Sequence, residues 1–234
     1  MERKDLAKIF HQTFGLAISK MRELEVLQEL RKKQPGDYFL SNKPTYISQL
    51  GEADKDKIEN FYGFINDEKA MKRFGASNLH EFSYWSWRAC GVVALQMVLN
   101  TDPLSSFKGK TMDLVKEGLE MDGYDLKEDS GWYHTALIKL AEKYGFHGFI
   151  DKFVPSSKIA LLMDQGSYVL CSVKSETGGH ILLATGYRLG KNGSLRGLWF
   201  DDPSDFSHSG EDRYVNKKDF DKLSTRRIIV LNSK

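Results

Sequence analysis

The sequence predicts an α+β fold in which a helical half is followed by an antiparallel β-sheet. Apolar residues recur at helical spacing through most of the chain up to about residue 163. Beyond that point, short runs rich in β-branched, apolar and aromatic residues alternate with turn signals. Helices first and strands second is the order of an α+β protein, because a parallel sheet would require the two to alternate.

The length and composition are those of a globular protein with one sizeable core. The chain has 234 residues, of which 41% are hydrophobic and 28% charged. We predict an N-terminal helical extension or cap over residues 1–79 and a main domain over residues 80–234. The net charge is +2 and the basic residues are dispersed, so neither a nucleic acid nor a membrane is expected as a partner.

The N-terminus and the two cysteines indicate the cellular compartment. The first residues lack the continuous apolar stretch and small-residue cleavage site of a secretory signal, so a chain that starts at Met1 is expected in the cytoplasm. Cys90 and Cys171 fit a reducing compartment. Two cysteines without a CxxC spacing make a structural zinc site an unfavoured interpretation.

The first thirty residues predict one long helix from Asp5 to about Lys33, stopped by Gln34-Pro35-Gly36. Its apolar residues follow a three-four spacing. The stripe is expected either to pack on the body of the domain or to pair with a second copy as a homodimer, and the sequence leaves both open.

The remaining elements follow from periodicity and turn residues. Residues 37–79 are irregular, with short helices expected at Lys55–Phe61 and Asp67–Phe74. An almost wholly apolar segment, Cys90–Leu99, predicts a buried central helix. Further helices are expected at Met112–Glu120, at Trp132–Tyr144, and from Pro155-Ser156-Ser157 to Met163; strands are expected at Tyr168–Lys174, His180–Tyr187, Leu195–Phe200 and Arg227–Leu231, with a hairpin loop at 190–193.

The segment Arg88-Ala89-Cys90-Gly91 places a thiol at the start of the buried helix. A helix N-terminus favours the thiolate, which is the reactive form of cysteine. Gly91 allows close approach of another backbone or of a substrate. The backbone amide of Cys90 is also expected to donate to an oxyanion. The alternative is a small buried hydrophobic residue, the interpretation favoured for Cys171.

His180 and Asp202 are the expected partners of that thiol. His180 opens an apolar strand, and Gly178 and Gly179 before it remove side-chain bulk where a substrate would lie. Asp202 precedes Pro203 at the end of a later strand, which suits an acceptor for the imidazole N–H. Asp201 is a weaker alternative to Asp202, and His134 is the rival histidine to test.

These residues together resemble a known bacterial family. Arg88-Ala89-Cys90-Gly91, Gly179-His180-Ile181 with Thr185-Gly186-Tyr187, and Asp202-Pro203 are similar to the bacteriocin-processing (double-glycine leader) peptidases, which are papain-fold cysteine peptidases. The resemblance covers residues 82–231. It implies a papain-like α+β fold and a thiol protease in which Cys90 is the nucleophile, His180 the general base and Asp202 the residue that orients it. It implies a peptide or small amide substrate and no cofactor or metal.

Two departures from the family pattern stand out. The family's oxyanion glutamine, five or six residues before the cysteine, is replaced by Tyr84 and Trp85. Substitute donors are sought in Tyr84, Trp85, Ser86 and Trp87, which alternatively line a substrate groove or pack the interface between the two halves. The chain also shows no membrane span and no P-loop, so the leader specificity of transporter-fused members is not carried over.

Three functions therefore stay open from the sequence. The first is hydrolysis of a peptide or amide bond through the Cys90–His180–Asp202 triad. The second is acyl transfer through the same thioester. The third is a peptide-binding module with weakened catalysis, supported by the missing glutamine.

Overall fold

The computed structural model describes residues 3–175, 178–205 and 209–234, with side chains from residue 14 onwards. Within these ranges the chain forms eight α-helices and one seven-stranded sheet. The helices are α1 (Arg3–Leu30), α2 (Glu68–Phe74), α3 (Leu79–Ser86), α4 (Cys90–Thr101), α5 (Thr111–Glu120), α6 (His134–Lys143), α7 (Ser156–Asp164) and α8 (Lys217–Leu223). The strands are β1 (Gly36–Phe39), β2 (Phe146–Lys152), β3 (Tyr168–Ser175), β4 (Gly178–Leu189), β5 (Leu195–Asp201), β6 (Arg213–Asn216) and β7 (Ser224–Ser233).

The sheet is antiparallel throughout. Its order is β2-β7-β3-β4-β5-β6, and β1 pairs with the second half of β4. The predicted α+β class is confirmed, although α7 and α8 lie between strands. α4 packs on β3 and β4, α6 packs on β2 and β7, and α7 contacts β3, β4 and β5.

α4 is the central buried helix that the sequence predicts. Every residue from Gly91 to Leu99 is buried, including Gln96, whose side-chain oxygen accepts a hydrogen bond from the Thr111 hydroxyl at 2.6 Å. A helix that is apolar on all sides has no solvent face to orient it, so packing on every side fixes its position. The thiol at its first residue is therefore attached to one of the most constrained parts of the molecule.

α1 ends at Leu30, three residues before the predicted end. It packs on α7, and Val26 and Leu30 are buried, whereas Met21 and Leu24 are each 68% exposed. The helix thus packs on the body along only part of its apolar stripe. Pairing with a second copy stays a prediction. No helix in the described ranges is both long and apolar enough to span a bilayer.

Two predicted helices differ from the structure, one in its length and the other in its first residue. Only a single 3₁₀ turn forms at Lys55–Lys57, because the chain turns back and Ile58 bridges Ile65 in an antiparallel pair. The helix predicted from Trp132 begins at His134, because Trp132 bridges Tyr124 and its indole N–H donates to a backbone carbonyl. The helix expected at Asp67–Phe74 does form, with Asp67 as its N-cap.

Five elements were not predicted from the sequence: β1, α3, β2, β6 and α8. All five are no longer than eight residues, and the polar residues of β1, β6 and α8 interrupt the apolar pattern. In β2, Gly148 interrupts the run of strand-forming residues, so the sequence does not predict a strand there. A Cβ at this position would lie 2.9 Å from Leu231 Cδ2, so glycine permits close packing of β2 on β7.

The buried position of α4 gives a stability prediction. Leu95→Ala removes a fully buried side chain and should lower the free energy of unfolding by about 2–5 kcal/mol, because the surrounding core fills the space only partly. Urea denaturation followed by circular dichroism measures this. Leu126→Ala, at a side chain that is 65% exposed, is the matched control and should change stability by less than about 0.5 kcal/mol. Equal losses in both variants would contradict the proposed packing.

Candidate active site

Cys90 is the first residue of α4 and is half-buried. A Cβ added to Gly91 would lie 2.9 Å from Leu137 Cδ1 and 3.1 Å from Ile181 Cδ1, so the helix start touches α6 and β4. Glycine is needed here for that close approach. The backbone amides of Ile181 and Gly91 lie beside Cys90 and lower the pKa of its thiol.

The register of the sheet brings His180 and Asp202 together. Leu183 on β4 is opposite Asp201 on β5, so position 202 falls beside position 182, on the same face of β4 as His180. His180 Nε2 lies 2.8 Å from Asp202 Oδ1. The other ring nitrogen, Nδ1, is left to face the thiol, and the ring and the thiol shift each other's pKa. The structure therefore brings the three predicted residues into one chain of contacts.

Asp202 has further partners besides the imidazole. The Ser204 backbone amide and hydroxyl donate to Asp202 Oδ1 at 3.0 and 2.7 Å, and Arg213 Nη1 donates to Oδ2 at 2.9 Å. Burial alone would raise the pKa of Asp202, but the bonds and charge of His180 and the donors of Ser204 lower it to about 2. The carboxylate is thus ionised throughout the neutral range.

The thiol and imidazole shift each other in opposite directions. Burial alone would raise the pKa of Cys90, but the hydrogen bond and positive charge of His180 and the two amide donors bring it below its ordinary value. Burial alone would lower the pKa of His180, but its bonds to Asp202 and Cys90 and their negative charges raise it well above its ordinary value. Both shifts favour a thiolate–imidazolium pair.

The two rival residues lie nearby but make different contacts. Asp201 is fully buried, and its Oδ1 accepts from the Asp212 amide at 3.0 Å; burial raises its pKa to about 6. His134 lies beside Cys90 in the same cavity, and burial followed by the charge of Arg227 lowers its pKa. In the described structure only His180 and Asp202 form the imidazole–carboxylate contact next to the thiol.

Residues 84–87, which precede Cys90, each contact a different part of the protein. The Ser86 hydroxyl donates to the Phe82 carbonyl at 2.6 Å, and the Trp87 indole N–H donates to the Gly63 carbonyl at 2.8 Å, so both donors are engaged away from the thiol. Trp85 is buried, with its ring against those of Tyr124 and Trp132. Tyr84 is half-exposed and stacks under the Arg88 guanidinium, 4.0 Å from its ring centre.

Two cavities meet at Cys90 and together form an open groove. The larger cavity has a volume of about 370 Å³ and includes His180, Trp132 and His134 in its wall. The smaller cavity, about 140 Å³, is lined by aromatic residues and by the Arg88–Asp129 ion pair; its aromatic residues are Tyr62, Trp87 and Tyr124. Gly179 and Gly131 line both cavities; Tyr84, Trp85, Ser86 and Gly178 line neither.

The two shared glycines keep the groove open. A Cβ on Gly179 or Gly131 would meet nothing within 4 Å, so a side chain there would project into free space. Gly131 also has φ of +114°, a conformation that other residues adopt only with strain. A substrate backbone can therefore pass closely over Cys90.

Several site residues were not found from the sequence. Ser204 carried a usable signal, because a hydroxyl two residues after an aspartate is typical of an Asx turn. No sequence pattern indicated the Arg213–Asp202 contact or the Arg88–Asp129 ion pair, since loop conformation brings these residues together. Among the described residues, no group of three or more His, Cys, Asp or Glu side chains is arranged to hold a metal ion.

Comparison with known proteins agrees with this architecture at the level of fold. No family model and no curated protein matches the sequence. Among solved structures, a protein from Bacillus anthracis assigned to the C39-like peptidases superposes with a TM-score of 0.51 at 16% identity, covering 84% of this chain and 98% of that one. Residues 80–234 are two thirds of the chain, so this match includes part of the first 79 residues.

Two further structures match over a shorter part of the chain. The peptidase domain of Streptococcus ComA, a transporter in a quorum-sensing pathway, has a TM-score of 0.47 at 18% identity and covers 63% of this chain and 93% of its own. A double-glycine-motif protease from an AMS/PCAT transporter, in complex with a leader peptide, has a TM-score of 0.44 at 16% identity and covers 62% and 84%. With the Bacillus anthracis match as its basis, the fold of this chain is the papain-like α+β fold of the C39-like peptidases.

Proposed function

We propose that this chain is a cysteine peptidase or amidase that cleaves its substrate through Cys90, His180 and Asp202. The observation that carries the proposal is the continuous contact from thiol to imidazole to carboxylate, with the His180–Asp202 contact at 2.8 Å. A buried histidine with a purely structural role does not need an acidic residue on one nitrogen and a thiol on the other. The same three residues stand beside an open groove.

The proposed reaction uses the thiolate–imidazolium pair directly. The Cys90 thiolate attacks the carbonyl carbon of the bond to be cleaved, and the oxyanion is stabilised by the Cys90 amide, which has no partner within its own helix. As the tetrahedral intermediate collapses, the C–N bond breaks and the leaving amine takes the proton from His180 Nδ1. Water then attacks the thioester, gives its proton to the same nitrogen, and releases the acid and the thiolate.

Asp202 is proposed to hold the ring in the orientation that this reaction requires. Its Oδ1 accepts from Nε2, which keeps Nδ1 towards the sulfur at every step. The carboxylate is itself fixed by Ser204 and Arg213 on both oxygens. Asp202 therefore stays ionised and immobile while the imidazole changes its charge.

A peptide-binding module with weakened catalysis is the second candidate, favoured by one observation. The donors of Ser86 and Trp87 are used for bonds within the protein, so neither replaces the absent oxyanion glutamine. Loss of one such donor typically costs about 10²–10³ in turnover. We accordingly expect a slow enzyme, and the binding module is the outcome if turnover is absent while peptide binding persists.

The charge pair predicts a thiolate at unusually low pH. In a Cys171→Ala background, the absorbance of Cys90 near 240 nm should titrate below the ordinary pKa of a thiol. Adding His180→Gln removes the imidazolium and should raise that pKa by more than about one unit. An unchanged titration in the double variant would contradict the pairing. The Cys171→Ala background removes the other thiol, which is buried and has a raised pKa, so only Cys90 contributes to the signal.

The triad predicts a graded loss of cleavage. A pool of short synthetic peptides, digested and analysed by mass spectrometry, should give products with the native chain and none with Cys90→Ala. Asp202→Asn should reduce the initial rate by about 10²–10⁴ because the ring loses its fixed orientation. Asp201→Asn is the matched control and should stay within about threefold, since Asp201 bonds only to the Asp212 amide among described groups.

The same digestion distinguishes the remaining alternatives. With a weakly nucleophilic amine such as glycinamide added at millimolar concentration, acyl transfer gives the amide as the main product, whereas hydrolysis gives mainly the free acid. Equal losses in Asp201→Asn and Asp202→Asn would remove Asp202 from its proposed role. Equal product from the native chain and from Cys90→Ala would reject the cysteine mechanism.

A further inference from the structure

The larger cavity beside Cys90 has a strongly one-sided charge. Its wall contains Lys152 and Arg227 but no aspartate or glutamate. Both cations are exposed at the cavity, and neither forms an ion pair with a described residue. By contrast, several other arginines form ion pairs, for example Arg22 with Asp151 and Arg188 with Asp37. Two unpaired cations in one concave site are unusual, because like charges repel unless an anion joins them.

The sheet register explains why the two cations converge there. Lys152 is opposite Arg227, Arg227 is opposite Ser172, and Ser172 is opposite Ile181. These four positions form one row across β2, β7, β3 and β4, so their side chains share a face. The row ends at Ile181; its neighbour His180 is on the other face of β4 by alternation, and it lines the same cavity at the end of the strand. At about 4.8 Å between strands, Arg227 and Lys152 stand about 10 and 15 Å from Ile181 along the row, and both line the cavity.

A third group faces the same space. His134 lines the cavity at the start of α6, and its Nδ1 is buried with no hydrogen-bond partner in the described structure. Burial and the charge of Arg227 lower the pKa of His134, so it is neutral and can donate one N–H. The first amides of α6 add partial positive charge at this end of the helix.

We infer that this cavity binds a carboxylate of the substrate, so that the chain acts on a peptide or amide with a negative charge close to the cleaved bond. The inference rests on the proposed function, since it places the anion beside the proposed nucleophile. Lys152 and Arg227 attract the carboxylate, and the neutral His134 supplies a hydrogen bond. The aromatic residues of the smaller cavity then receive the part of the substrate on the other side of Cys90.

Two alkylating reagents of nearly equal size provide the test. Iodoacetamide is neutral and iodoacetate carries a carboxylate, and both transfer a carbon to the Cys90 sulfur with release of iodide. The ratio of the iodoacetate rate to the iodoacetamide rate is measured for each variant in a Cys171→Ala background. Taking the ratio corrects for any change in thiolate reactivity between variants. The His180 imidazolium is present in all of them.

The expected result is a loss of the iodoacetate preference when the two cations are removed. Lys152→Gln/Arg227→Gln should lower the ratio by about five- to tenfold, and raising the salt concentration should lower it in the parent but little in the variant. Arg227→Lys keeps the charge and should retain most of the ratio. The control Lys69→Gln/Arg196→Gln removes the same charge at two exposed positions away from the cavity and should leave the ratio unchanged.

The outcomes separate the two proposals. Fast alkylation by iodoacetamide with the same ratio in the cavity and control variants overturns the carboxylate site and leaves the cysteine mechanism intact. Alkylation by iodoacetamide no faster than that of a small free thiol overturns the proposed function itself. In the digested peptide pool, enrichment of cleavage beside Asp or Glu assigns the carboxylate to a side chain, enrichment near free C-termini assigns it to a chain end, and no enrichment of either kind rejects the inference.

Discussion

The whole site depends on one electrostatic contact, the pairing of the Cys90 thiol with the His180 imidazole across the junction of helix and sheet. Neither charge would be stable there alone, since burying an unpaired ion is costly and the group would become neutral instead. The contact forms because Gly91 lets α4 approach β4 so closely that Ile181, next to His180, touches the helix start. The rigid, fully buried α4 then keeps the sulfur in place.

Groups of opposite charge alternate around this contact. In the proposed thiolate–imidazolium state, Cys90 and Asp202 are negative and His180 and Arg213 are positive. Arg213 therefore does more than hold a loop: it compensates the carboxylate on the side away from the ring. Ser204 fixes the oxygen that faces the imidazole. This arrangement allows His180 to lose and regain its proton while the carboxylate beside it stays ionised.

The sequence predicted the parts of the site that have local signals. Cys90 was visible as a thiol opening an apolar helix, and Asp202 as a strand end before proline. The pairing of β4 with β5 that joins Asp202 to His180 was also within reach, because both strands were predicted. The contact between Arg213 and Asp202 could not be predicted, since no local sequence pattern indicates that a residue eleven positions later contacts this carboxylate. Lys152 lies on β2, a strand that the sequence did not predict because Gly148 interrupts its pattern. The row of charged residues across the sheet was therefore not predicted either.

The protonation state of His180 decides whether the thiol and the imidazole form the proposed ion pair. ¹⁵N NMR of histidine-labelled protein at neutral pH reads both ring nitrogens, which have distinct shifts in the imidazolium and in the neutral ring. We expect both nitrogens of His180 to be protonated at about pH 7, and Cys90→Ser to lower the pKa of the ring because the thiolate charge is lost. A neutral ring in the native protein at this pH, with no change in Cys90→Ser, would mean that the thiolate–imidazolium pair does not form.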